Sequence, residues 1–312
     1  MKRVSIFLAL FLGLALILSG PAAADQFISI ATGGTGGVYY PVGGGMADLI
    51  NQHVEGVNAT AEVTGASTEN VRLLQAGEVE LGLVQNDITF YAKTGTEMFE
   101  GEELGNLRGV AVLYPEIIQI VTLEGSGIDS VYDFEGRTIA VGAPGSGTEA
   151  NARQIIEAHG LTYDDMTVDY LSFAEAVDQL RDGHVDAAFL TAGIPTGALM
   201  DLAATHDPKI LNIDEDVAAQ IMEDFPFYTE AVIPGGTYDG LDEDVSTVTV
   251  LAMIVTSAAL DSDTVYNMTA AIFDNLDYLY EIHERARDIT VEAAQDGMPI
   301  ELHRGAARYF DQ

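Results

Sequence analysis

From residue 27 to residue 205 the chain alternates short apolar runs of strand length with longer stretches whose apolar residues recur at helical spacing. No other feature narrows its folding options so far. Residues 27–31 alternate as a short strand, 32–37 form a glycine-rich turn, and 38–54 carry helical spacing. Residues 60–63 read as a second strand, Ser67 caps a helix that runs through Ala76, and 80–85 read as a buried strand. Apolar strands at 108–113 and 117–123 are separated by Pro115. A second alternating run follows, with strand 138–142, loop 143–147, helix 149–159, strand 167–170, helix 173–181, strand 187–190 and helix 195–205. After the Pro/Gly-rich segment 234–240 come a strand at 248–256 and a long helix from Thr264 to Asp288, which read as the chain returning to its first half. Such alternation makes parallel sheets covered by helices on both faces, with any ligand beyond the carboxyl ends of the strands.

Two of those strand ends carry glycine loops. Residues 32–37 precede a helix, so their glycines let backbone approach a ligand and their N–H groups point outward at the positive end of the helix dipole. The second loop, 142–148, has the same construction, with Thr148 placed to cap its helix and Ser146 free to donate a hydroxyl hydrogen bond. Two such loops suit one carboxylate-bearing ligand gripped from opposite sides. The candidate contacts are Thr35, Gly36, Gly37, Val38 and Tyr39 from the first loop, and Ser146, Gly147, Thr148 and Glu149 from the second. Asn70, Gln85 and Thr191 join them from helix starts and strand ends. Gln85 ends a buried strand, where an amide without a partner is costly, which points to a ligand or hinge role. Arg72 and Arg153 lie near presumed helix starts and are the arginines placed to reach inward.

The same residues argue against catalysis, cofactors and metals. Tyr39 stands where a dinucleotide fingerprint needs its last glycine, and no Gly-Lys-Ser/Thr makes a phosphate loop. Ser146 lacks the glycine two residues earlier that a nucleophile elbow requires, because Pro144 is there. No histidine is paired with it by any motif, and neither a zinc nor a calcium ligand pattern occurs. A non-catalytic binding protein without cofactor or metal is expected, the rival being a serine-dependent periplasmic hydrolase.

Charge and the first residues set the compartment. Lys2 and Arg3 precede an apolar run at 4–18, and Ala22, Ala23 and Ala24 supply a small-residue cleavage site, so 1–24 read as a signal peptide cut before Asp25. Removing Lys2 and Arg3 from 13 basic residues leaves 11 against 49 acidic ones, a net charge of −38. That excludes nucleic acid as a partner. With lysine only at positions 2, 93 and 209, the balance fits a protein adapted to concentrated salt. There are no cysteines, so neither disulfides nor a lipid-anchoring thiol are expected.

Taken together, 31–45 (ATGGTGGVYYPVGGG), 65–74 (GASTENVRLL), 142–149 (GAPGSGTE) and 302–310 (LHRGAARYF) resemble the TAXI family of TRAP-transporter solute receptors. The resemblance runs the length of the chain beyond residue 24. It implies a type II periplasmic-binding-protein fold, an α/β architecture of two lobes with a ligand cleft between them. It also implies a periplasmic receptor that closes on a glutamate-like amino acid or dicarboxylate and delivers it to a sodium-coupled TRAP permease; a monomer is expected. A receptor feeding a membrane sensor is the alternative with the same fold. The expected crossings lie near 113–119 and 231–238, giving lobe 1 as 25–115 plus 232–312 and lobe 2 as 116–231.

Overall fold

The computed structural model describes residues 26–312, and the expected signal peptide lies outside them. The first three strands and two helices follow the sequence pattern, and a further helix and a long strand come after them. They are β1 (Gln26–Ala31), α1 (Tyr39–His53), β2 (Val57–Glu62), α2 (Ser67–Ala76), β3 (Leu81–Gln85), α3 (Asn86–Thr94) and β4 (Leu107–Leu123). The middle of the chain forms β5 (Thr138–Ala140), α4 (Gly147–Ala158), β6 (Thr167–Asp169), α5 (Phe173–Arg181), β7 (Ala187–Ala192), α6 (Gly197–Ala203), β8 (Pro208–Leu211) and α7 (Glu215–Asp224). The last part forms β9 (Thr229–Ile233), β10 (Val245–Ser257), α8 (Ser262–Phe273), α9 (Leu276–Ile282) and α10 (Arg304–Phe310).

The strands join in the order β2-β1-β3-β10-β4-β7-β5-β6, with β8 on β4 and β9 on β10. Within β2-β1-β3 and within β7-β5-β6 the pairing is parallel, as βαβ connections require. The two long strands β4 and β10 run antiparallel to each other and to their neighbours, and they stitch the two parallel groups together. Each group is packed with helices around its own apolar interior. Ile28, Leu83, Met46 and Ile272 pack in the first, and Ile118, Ile139, Ile155 and Phe189 in the second. Burying each such side chain contributes roughly 1.5–3 kcal/mol. The result is two α/β lobes joined by a two-stranded ribbon.

Three sequence expectations need correction. Pro115 does not separate two strands: β4 passes through it, opposite Leu251, and the missing N–H coincides with a register shift between Leu251 and Met253 of β10. The long helix expected at 264–288 is instead α8, α9 and a 3-10 turn, Glu284–Asp288. It breaks where Asn275 leaves helical geometry and its side-chain amide donates back to the Ala271 carbonyl. Segment 231–238, expected to cross back to lobe 1, packs with the second lobe: Ile233 and Tyr238 are buried beside Val121, Leu190 and Leu199. The return is made by β10, whose first residues pair with β9 and whose last pair with β3. Among the described residues no helix is long and apolar enough to cross a membrane.

Candidate ligand-binding site

Between the lobes, beyond the carboxyl ends of β1, β3, β5 and β7, lies a cavity with about 550 Å³ of empty space, counted with its opening to solvent. Lobe 1 contributes Gly33, Gly34, Gly37, Val38 and Tyr39 from the first glycine loop, residues 64–67 at the start of α2, and Gln85 at the end of β3. Lobe 2 contributes Ala143, Ser146, Gly147 and Thr148 from the second glycine loop, Ser172 and Phe173 at the start of α5, and Thr191 at the end of β7. Both loops thus reach one cavity wall. The starts of four helices, α1, α2, α4 and α5, converge there, each turning the positive end of its dipole to the cavity, with Ser146 and Ser172 capping one N–H each in α4 and α5.

Inside this shell, buried polar atoms are left without partners. Gln85 donates through Nε2 to Asn151 Oδ1 at 3.1 Å, but its Oε1 accepts nothing. The Thr191 hydroxyl is likewise buried and unpartnered. Such atoms cost on the order of 1–3 kcal/mol each until a donor or acceptor meets them. Gly147 makes room for the Gln85 side chain: a Cβ at that position would lie 1.8 Å from Gln85 Oε1.

Not every candidate residue lies on the wall. Thr35 and Gly36 line an outer groove against α5 and α6, where the Gly36 carbonyl accepts the Ala198 N–H at 3.0 Å. Asn70 is fully buried behind the loop, donating to the carbonyls of Thr32 at 2.6 Å and Leu83 at 2.8 Å and accepting from the Thr64 hydroxyl. It shapes the glycine loop from behind. Glu149 faces outward to Tyr163 and Arg153. Ser146, not Thr148, caps α4, because the helix begins at Gly147, and its hydroxyl accepts the Glu149 N–H at 3.1 Å. Arg72 pairs with Glu102 on the surface, and among the described residues no arginine, lysine or histidine lines the cavity.

The sequence reading passed over Glu116. This carboxylate sits in β4 directly after Pro115, is 3 % exposed and lines the cavity. The Tyr39 hydroxyl donates to its Oε2 at 2.5 Å. Burial pushes the carboxyl up to about 8, the Tyr39 hydrogen bond opposing and nearby Asp87 reinforcing the rise. Burial, then the Glu116 charge, raises the Tyr39 hydroxyl well above its usual range. A lone acid in the seventeen-residue apolar strand of β4 was the available signal, by the argument that singled out Gln85.

Behind the cavity the lobes are joined directly. Asn151 of α4 donates to Asp87 Oδ2 at 2.9 Å and to the Tyr228 hydroxyl at 2.7 Å, and Tyr228 donates to Gln154 Oε1 at 2.6 Å. Burial lifts Asp87 to about 7. The Glu69 N–H reaches the Gly145 carbonyl at 3.0 Å, and Arg285 Nε and Nη2 reach the Ile194 carbonyl at 3.0 and 2.8 Å. These contacts hold the two lobes against each other across the cleft.

Residues 30–312 match the NMT1-like family. The chain belongs to that family. Among solved structures this NMT1-like protein is similar to a protein from Bordetella bronchiseptica RB50, at 17 % identity and a TM-score of 0.56 over 91 % of this chain and 82 % of that one. It is also similar to a putative L-cystine ABC transporter from Listeria monocytogenes, at 13 % identity and a TM-score of 0.52 over 86 % of this chain and 98 % of the other. The alkanesulfonate-binding protein SsuA from Xanthomonas axonopodis pv. citri bound to MOPS aligns at 16 % identity and a TM-score of 0.50 over 88 % and 86 % of the two chains. At such identities the likeness is one of fold, that of the two-lobed periplasmic binding proteins.

Proposed function

We propose that this NMT1-like chain is an exported, non-catalytic receptor that captures a small organic anion and hands it to a membrane importer. The observation that carries the reading is the interlobe cavity, where four helix starts converge beside buried polar atoms that lack partners. A ligand carboxylate would satisfy the backbone donors there without any cation in the wall. Binding residues on this reading are Gly37, Val38, Tyr39, Gln85, Ser146, Gly147, Thr148 and Thr191. An enzymatic role for Ser146 is disfavoured, since its hydroxyl is occupied as a helix cap and no base lies against it. Lobe 1 is taken as 26–115 plus the end of β10 onward, and lobe 2 as the intervening chain.

The runs at 31–45, 65–74 and 142–149 support a TAXI-type receptor, a sodium-coupled TRAP permease as its partner, and a glutamate-like amino acid or dicarboxylate as its ligand. The Listeria protein is a putative L-cystine ABC transporter, a class driven by ATP, so the partner is tested by whether uptake in reconstituted vesicles needs a sodium gradient or ATP. For the receptor itself the test is titration calorimetry against dicarboxylates, 2-oxo acids and acidic amino acids in high salt. Stoichiometric binding without turnover is expected. Product formation that disappears in Ser146→Ala would overturn the reading.

A further inference from the structure

The acceptance of an anion leaves one wall group unexplained. Among the described residues Glu116 has no cation within the cavity: the wall's polar groups are hydroxyls, an amide and backbone beside apolar side chains, and Arg285 is spent on the Ile194 carbonyl and Asp288. The groups that face Glu116 are the Tyr39 hydroxyl from α1, the Tyr114 hydroxyl from β4 itself and Asp87 from α3, none of them basic. The Tyr114 hydroxyl is buried with no hydrogen-bond partner. A buried carboxyl that meets no cation gives a purely anionic guest no counter-charge, and ionising it there is costly. The same cavity therefore offers donors at four helix starts for negative charge and one carboxylate for positive charge.

We propose that Glu116 is the charge-discriminating residue of this cavity, pairing with an ammonium group on the ligand while the ligand's carboxylate lies on the helix-start donors. The inference rests on the organic-anion reading above and narrows it to a zwitterion bearing a primary or secondary amine, as against the acid of the same skeleton without nitrogen. Hydrogen-bond geometry supports the assignment: Tyr39 fixes Oε2, so the second carboxylate oxygen remains to accept from the ligand. Because burial holds the empty site's carboxyl up to about 8, at neutral pH it is mostly protonated. An arriving ammonium favours the ionised form, and the displaced proton leaves to solvent. Capture of a zwitterion thus releases close to one proton per ligand, whereas a dicarboxylate releases none from this group.

The experiment is calorimetry on the full chain at pH 7 in two buffers of different ionisation enthalpy. Acidic and neutral L-amino acids are each set against the matching carboxylic acid that lacks the amine. Expected are at least about a hundredfold tighter binding of the amine-bearing member and a buffer-dependent heat equal to nearly one released proton. Glu116→Gln should erase both the preference and the proton release while leaving the melting transition intact. Equal binding of both members by the wild type, or a preference that survives in Glu116→Gln, overturns the proposal. Since the wild-type pairwise comparison needs no variant, a misfolded Glu116→Gln does not shield the proposal. Tight binding of dicarboxylates alone refutes Glu116 as an ammonium partner and leaves the anion reading standing. Binding of neither class refutes both.

Discussion

Gly147 has no side chain because Gln85, from the other lobe, occupies the space where its Cβ would be. Gly147→Val is expected to push the Gln85 amide aside and lower ligand affinity at least about tenfold while changing the melting temperature little, since the clash is with a movable side chain across the cleft. Calorimetry beside a thermal melt checks this. The Glu116 carboxyl, whose ordinary value is 4.5, sits near 8 when folded, so between those limits the native chain holds a proton that the unfolded chain has lost. Stability of the empty receptor should therefore fall as pH rises through that window, at about 1.4 kcal/mol per unit at most. Asp87, lifted from 3.8 to about 7, adds a component with the same sign. Melts from pH 5 to 9 should show the slope shrink in Glu116→Gln, with the Asp87 part remaining. Half of this site was legible in the sequence, because glycines before helices and an amide at the end of a buried strand are local signals. Glu116 carried a local signal, a lone acid in an apolar strand, that was passed over, whereas Phe173 escaped because its place on the wall depends on how the lobes meet.

At the scale of elements, closure is carried by contacts between named ends. Arg285, in the 3-10 turn after α9, chelates the Ile194 carbonyl with two N–H groups, and the charged hydrogen bonds lie partly shielded from water. Arg285→Met keeps the packed stem and removes the charge, so it should weaken ligand binding about tenfold by destabilising the closed form. Small-angle scattering of the liganded variant would show a larger open fraction. The alternation of strand and helix was readable because each βα unit states its own period, and α1, α5 and β3 lie within a residue or two of where the pattern puts them. What was not readable was decided by partners. A proline reads as a strand breaker until a neighbouring strand slips register beside it, and α8 and α9 read as one helix until Asn275 finds a carbonyl to bond.

For the whole molecule, the dominant fact is a formal charge of −36 on 312 residues, offset by few ion pairs, every one of them partly exposed among the described residues. Pairs of that kind contribute little, so self-repulsion is relieved chiefly by salt. Raising sodium chloride from about 0.05 to 1 M, where the screening length falls to roughly 3 Å, should raise the melting temperature by several degrees. A flat response would contradict the salt-adapted reading of the surface. The ribbon of β4 and β10 sets what closure can do with that surface. Its ladder is interrupted where Pro115 faces Leu251, and we expect the two lobes to turn about that stretch. Glu116 is the next residue along, so it stands at the fulcrum, while the helix starts ride at the ends of the lever arms. On that expectation a guest docked there would be held still as the jaws swing in, and the depth of closure would measure how well its far end fits.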